Sequence, residues 1–93
     1  MRLSPTEIIH IKQCVAGFDP EARVFLFGSR VDNSKKGGDI DLLILSQIMD
    51  FHSKIELKMR LLDYMEEQKM DIVIEPDVSK PFIRVIYQKA IEL

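Results

Sequence analysis

Three aspartates are spaced so that they could hold divalent metal. Asp39 and Asp41 flank Ile40, and Asp71 opens a later apolar run, Met70-Asp71-Ile72-Val73-Ile74. Successive side chains of a strand alternate, so Asp39 and Asp41 point to one side, about 6–7 Å apart along the chain. Two like charges beside aliphatic residues are costly unless cations or donors compensate. Oxygen-only ligands suit hard ions, Mg²⁺ or Mn²⁺, rather than Zn²⁺. Taken as a pair, the two acids also fit a solvated strand start or a turn cap. Asp71 changes that weighing, because pairing its strand beside the first brings its carboxylate to the same end of a sheet. Such a trio suits two-metal phosphoryl transfer, with two acids bridging both ions and the third on the ion that activates an attacking hydroxyl.

A second feature fits the same chemistry. Phe25-Leu26-Phe27 runs into Gly28-Ser29-Arg30. Glycine lets backbone approach a ligand closely, and N–H groups exposed at such a turn suit phosphate oxygens. The dipeptide alone is more often a simple turn, and the lysine and second glycine of a P-loop are absent. Together with the acids it implies in-line displacement at the α-phosphate of a nucleoside triphosphate, with the Gly28-Ser29 turn neutralising charge on the departing pyrophosphate. Arg30 is a candidate phosphate-facing cation. Lys35 and Lys36 are near enough to assist, although solvated loop positions suit them better.

The elements that must position these residues can be read from caps and periodicity. Ser4-Pro5-Thr6-Glu7 reads as a capping box with proline at the first helical position. Ile8, Ile11 and Val15 then recur at helical spacing until Gly17-Phe18-Asp19-Pro20 interrupts. Arg23 to Phe27 is a short buried strand. Residues 32–38 are a polar connection, and Asp39 to Leu45 is the next strand, apolar on both faces except at its start. Ser53-x-x-Glu56 suggests a second capping box for a middle helix reaching about Gln68. Met70 to Glu75 forms a third strand, stopped by Pro76. Ser79-Lys80-Pro81 caps a last helix running nearly to Leu93. The fold class expected is α/β (α+β): a small three-stranded mixed sheet with about three helices packed mainly on one face, residues 1–93 forming one domain.

Composition narrows the setting. The chain has 93 residues, 46% hydrophobic and 30% charged, the balance of an ordinary globular chain. Thirteen Lys and Arg against fifteen Asp and Glu leave a formal charge of −2, which disfavours extended contact with nucleic acid. The single cysteine, Cys14, excludes an internal disulfide and reads as a small core residue. His10 and His52 stand alone and are not expected as ligands. No run approaches the ~18 apolar residues of a membrane span, and the start lacks a signal-type apolar segment, so a cytoplasmic location without membrane association is expected.

The combination Phe27-Gly28-Ser29-Arg30, Asp39-Ile40-Asp41-Leu42-Leu43-Ile44 and Met70-Asp71-Ile72-Val73 resembles the minimal nucleotidyltransferases of the DNA polymerase beta superfamily. The resemblance covers nearly the whole chain, through Pro81-Phe82-Ile83-Arg84 to Ala90-Ile91. It implies that Gly28 and Ser29 bind triphosphate, that Asp39 and Asp41 bind both metals, and that Asp71 is the third acid. No acid is missing, which argues against an inactivated branch. The chain departs from the pattern after Arg30, where Val31-Asp32-Asn33 replaces small and basic residues. Stand-alone members of this size are typically paired with a HEPN-domain RNase toxin. The resemblance therefore implies an antitoxin that transfers AMP from ATP to a tyrosine of its toxin, using two Mg²⁺ ions or Mn²⁺.

Two other readings remain: an antitoxin that neutralises its partner by binding alone, and transfer to a small molecule such as an aminoglycoside. Relatives of the latter kind usually append an acceptor domain, and none is expected within these 93 residues. A protein partner has separate support in the residues. Ile55, Leu57, Met59, Leu61, Leu62, Tyr64 and Met65 cover more than half of the middle helix, and the last helix is similarly broad. Helices 53–68 and 81–92 are thus candidate surfaces for a homo-oligomer or hetero-oligomer, the alternative being that they pack on each other and on the first helix over the sheet.

Overall fold

The computed structural model describes residues 1–34, 38–65 and 69–93. Lys35 and Lys36, and the expected last turn of the middle helix at Glu66, Glu67 and Gln68, lie outside the described residues. Helix α1 spans Pro5–Phe18 and opens with the expected capping box: Ser4 Oγ accepts from Glu7 N, and Glu7 Oε1 accepts from Ser4 N. Strand β1 is Arg23–Phe27, followed by one 3₁₀ turn over Gly28–Val31. Strand β2 is Ile40–Leu45, α2 is Phe51–Met65, β3 is Met70–Glu75 and α3 is Pro81–Lys89.

Two caps differ from expectation. Helix α2 begins ahead of Ser53, because Asp50 caps it: Asp50 Oδ1 accepts from Ser53 N at 2.9 Å and from Ser53 Oγ at 3.0 Å. Those bonds hold the Asp50 carboxyl below the usual carboxylate range. Ser53 therefore sits inside the first turn rather than before it. At α3 the N-cap is Lys80 and no side chain caps the helix; the Arg84 guanidinium instead donates to the carbonyls of Val78 and Ser79, which fixes the approach to the helix.

The C-terminus also differs. Helix α3 ends at Lys89, and Ile91–Glu92 becomes strand β4, pairing antiparallel with β1. Arg23 clamps Glu92 through two hydrogen bonds of 3.0 and 2.8 Å across that edge. The sheet therefore has four strands rather than three, in the order β3-β2-β1-β4. It is mixed, as expected: β1 and β2 are antiparallel, β2 and β3 parallel. The parallel pair requires a crossover, which α2 supplies.

Two helices share one face of this sheet and the third covers the other. Ile11 and Val15 of α1 and Leu57, Leu61 and Met65 of α2 bury against Val24, Leu26, Ile40, Leu42, Ile44, Met70 and Ile72. Fully burying an aliphatic side chain of this size contributes about 1.5–3 kcal/mol, so this layer dominates stability. His10 stacks on Tyr64 with centroids 3.9 Å apart, joining α1 to α2. On the opposite face Ile83 of α3 packs on Phe25 and Leu43, and the Tyr87 ring meets Phe25 edge-on at 5.1 Å. The strands thus have two apolar faces because helices lie on both.

One buried polar pair ties the turns together. Ser46 Oγ donates to Asp19 Oδ2 at 2.6 Å and accepts from Ile48 N and Met49 N. It links the α1–β1 turn to the β2–α2 turn. Among the described residues no helix is long and apolar enough to cross a membrane.

Candidate active site

The register of the parallel pair sets the site. Asp41 lies directly across from Asp71, and Asp41 is also opposite Phe27, the last residue of β1. Neighbouring strands are about 4.8 Å apart, so the two carboxylates start from adjacent backbone positions. Both point to the α3 face of the sheet by alternation with Leu43 and Val73. Asp39 comes one residue before β2, exposed, at the same end. Sequence expected these three acids at one sheet edge, and the structure brings them there.

The acid edge is electrostatically strained. Asp41 is half-buried, and burial pushes its carboxyl above the ordinary value of 3.8, with the nearby charges of Asp71 and then Asp39 adding to the rise. Like charges gathered beside apolar residues behave this way unless a cation joins them. The donor set is oxygen only, which fits Mg²⁺ or Mn²⁺. As the side chains lie, no group of three or more His, Cys, Asp or Glu among the described residues is drawn tightly enough to hold a metal ion. A closed coordination shell requires side-chain rotation at this edge, and two of the three acids are exposed enough to allow it.

Gly28 is built into the same edge. Its φ is +77°, and a Cβ there would fall 2.2 Å from Asp41 Oδ2. The absence of a side chain at Gly28 is what lets the Asp41 carboxylate lie against the turn. Ser29 follows in the 3₁₀ turn, and a Cβ on Gly38, whose φ is +93°, would fall 2.2 Å from Ser29 Oγ. The chain leading into Asp39 therefore passes directly over the Ser29 hydroxyl. Sequence reading treated Gly38 only as part of a polar connection; its place just ahead of Asp39 was the available signal.

Arg30 faces inward to the loop. Its guanidinium donates to the Arg2 carbonyl at 2.9 Å and to the Gly38 carbonyl at 3.3 Å. Arg2 answers from the N-terminal segment: its backbone N donates to the Arg30 carbonyl, and its guanidinium donates to the carbonyls of Ser29 and Asp32. The two arginines clasp the Gly28–Val31 turn to Gly38, a bracing role for Arg2 that sequence reading missed. A cleft of about 400 Å³ opens on the other side of the acids, lined by Asp39, Lys58, Leu62, Lys69, Met70 and Asp71.

A small mixed sheet that gathers carboxylates at the end of a parallel strand pair, beside a glycine-serine turn, defines a nucleotidyltransferase-type fold. The chain belongs to the polymerase beta nucleotidyltransferase family, whose model matches residues 10–93. The fold is similar to a crystal structure of the toxin-antitoxin MntA-HpeT carrying two aspartate-to-glutamate substitutions. The TM-score is 0.73 at 18% identity, over 97% of this chain and 71% of that one. No curated protein sequence matches this chain.

Proposed function

We propose that residues 1–93 form a single catalytic domain that transfers AMP from ATP to a hydroxyl of a partner protein, a tyrosine of a HEPN toxin, and so acts as its antitoxin. The register that sets Asp41 beside Asp71, with Asp39 at the same end and Gly28 against Asp41, carries this reading. Family membership supports the class of reaction. The likeness to the MntA-HpeT toxin-antitoxin supports the kind of partner.

In this reading Asp39 and Asp41 hold two divalent ions and Asp71 completes the site of one of them. When bound, the ions supply charge neutralisation at the α-phosphate and at the departing pyrophosphate. Backbone N–H groups of Gly28 and Ser29 and the Ser29 hydroxyl orient the β- and γ-phosphates. Arg30, clasped to Gly38, steadies that turn, and its guanidinium is the cation this reading assigns to the phosphates. The acceptor oxygen attacks the α-phosphorus, the bond to the bridging oxygen breaks, and pyrophosphate leaves. Asp71, exposed at the edge strand, orients the acceptor hydroxyl, whose proton passes to a carboxylate or to water.

A second reading, neutralisation by covering alone, needs a broad apolar partner surface. Phe51 is 72% exposed and Met59 66% on α2, and Phe82 is 70% exposed on α3. Those positions suit a partner surface whichever mechanism applies. One experiment separates the readings: incubation with α-labelled ATP, Mg²⁺ and the toxin partner, for wild type and for Asp39→Asn with Asp41→Asn. Label on the partner with wild type alone supports transfer. Full labelling by the double variant excludes this chemistry, and unlabelled but fully neutralised partner establishes covering.

A further inference from the structure

The cleft beside Asp71 holds two cations that the reaction does not use. Lys58 projects from α2 one turn before Leu62, and Lys69 sits immediately ahead of β3. The Lys69 carbonyl accepts from Ile40 N at 3.0 Å, so the backbone there is fixed beside the start of β2. Among the described residues neither Lys58 nor Lys69 forms an ion pair with a carboxylate, unlike Arg23 with Glu92 and Lys80 with Glu75.

Position separates this cleft from the triphosphate side. The sheet order is β3-β2-β1-β4, and Gly28 follows β1 while the cleft adjoins β3, an edge strand. Asp41 of β2 stands between them. With in-line displacement, the attacking hydroxyl and the departing pyrophosphate lie on opposite sides of the α-phosphate. The cleft is then the acceptor's side. Among the described lining residues Asp39 and Asp71 balance Lys58 and Lys69 in charge, and any divalent ion held by the acids tips that balance to positive. A cleft of that character attracts anions.

Resting on the transferase reading above, we propose that Lys58 and Lys69 make this cleft an acceptor site selective for a hydroxyl flanked by carboxylates, that is, an acidic peptide segment. The lysines hold the flanking carboxylates and bring the hydroxyl to the end of β3, where Asp39 and Asp71 line the same cleft. The leucine and methionine between them, Leu62 and Met70, give the segment an apolar floor. A segment with neutral flanks has no means of using the exposed ammonium groups, and a basic one is repelled.

The test uses two synthetic peptides, Glu-Glu-Tyr-Glu-Glu and Gln-Gln-Tyr-Gln-Gln, with wild type and with Lys58→Gln plus Lys69→Gln. Label transfer from ATP gives kcat and KM, fluorescence anisotropy with a non-hydrolysable ATP analogue and Mg²⁺ gives peptide affinity, and a fluorescent ATP analogue gives nucleotide affinity. The expected result is an advantage of about tenfold for the acidic peptide, carried by KM and by affinity alike. The double variant loses that advantage while its ATP affinity stays within about twofold. Equal use of the two peptides by wild type overturns the proposal, as does a preference that survives in the variant. A large loss of ATP affinity overturns it too, since the lysines would then serve the triphosphate. If wild type labels neither peptide nor the toxin, the transferase reading fails first and takes the acceptor site with it.

Discussion

Replacing Gly28 by alanine probes the contact on which the site is built. The backbone there has φ +77°, where a side chain costs about 1–2 kcal/mol. Alanine also reduces the freedom of the unfolded chain, which returns part of that cost, but at positive φ the net effect is destabilising. A net loss of about 1 kcal/mol lowers Tm by about 4–8 °C in a domain this small. The second effect is local. The new Cβ would lie 2.2 Å from Asp41 Oδ2, so the carboxylate must withdraw by about 1 Å to reach ordinary contact. A displacement of that size at a reacting centre costs about 10²-fold in rate. The matching control is Gly17→Ala near the end of α1, where a Cβ meets nothing within 4 Å. It should stabilise the protein by about 0.5–1 kcal/mol and leave transfer unchanged. Thermal denaturation and label transfer are measured on the same preparations. Gly28→Ala with wild-type Tm and wild-type turnover would refute the argument that this glycine exists to seat Asp41.

Other outcomes follow from the same geometry. Because burial, then Asp71 and Asp39, hold the Asp41 carboxyl above 3.8, the folded protein binds this proton more tightly than the unfolded chain. Its contribution to stability is full below pH 3.8 and is lost as pH rises through the raised value. Asp41→Asn should therefore be more stable than metal-free wild type at pH 7 and gain nothing at pH 3 in urea titrations. Mg²⁺ should raise the Tm of wild type and not that of Asp41→Asn, by differential scanning fluorimetry. Ser46→Ala removes the donor to buried Asp19 and the acceptor for two amides, and should cost about 2–3 kcal/mol by chemical denaturation. Phe51→Lys with Met59→Lys touches only exposed positions, so stability should change by no more than about 1 kcal/mol. The same pair should weaken toxin binding in a pull-down or calorimetric titration if α2 is the partner surface.

The acid edge was legible in the sequence because strand alternation and a shared start near Asp39 and Asp71 are local facts, and pairing two apolar strands converts them into proximity. Helix α1 was equally legible, since Ser4, Pro5 and Glu7 act within one turn. Strand β4 was not, because two residues carry no periodicity; what makes Ile91–Glu92 a strand is the edge of β1 and the Arg23 clamp, both distant in sequence. The α2 cap was misplaced because Asp50 and Ser53 can each cap and only the fold decides between them. The clasp of Arg2 and Arg30 and the closeness of Gly38 to Ser29 arise from chain segments meeting across the molecule, and no spacing rule announces them. The placement of α3 opposite α1 and α2 was hinted at by strands apolar on both faces, a pattern that one layer of helices does not require.

The central claim is that Asp39, Asp41 and Asp71 gather around divalent metal in order to activate a nucleoside triphosphate. The most direct measurement is anomalous diffraction from crystals of the protein grown with Mn²⁺ and a non-hydrolysable ATP analogue. The account predicts manganese peaks within about 2.0–2.6 Å of carboxylate oxygens of all three aspartates, with triphosphate oxygens against Gly28 and Ser29. Manganese bound elsewhere, or triphosphate held away from that turn while the three carboxylates stay apart, would contradict it.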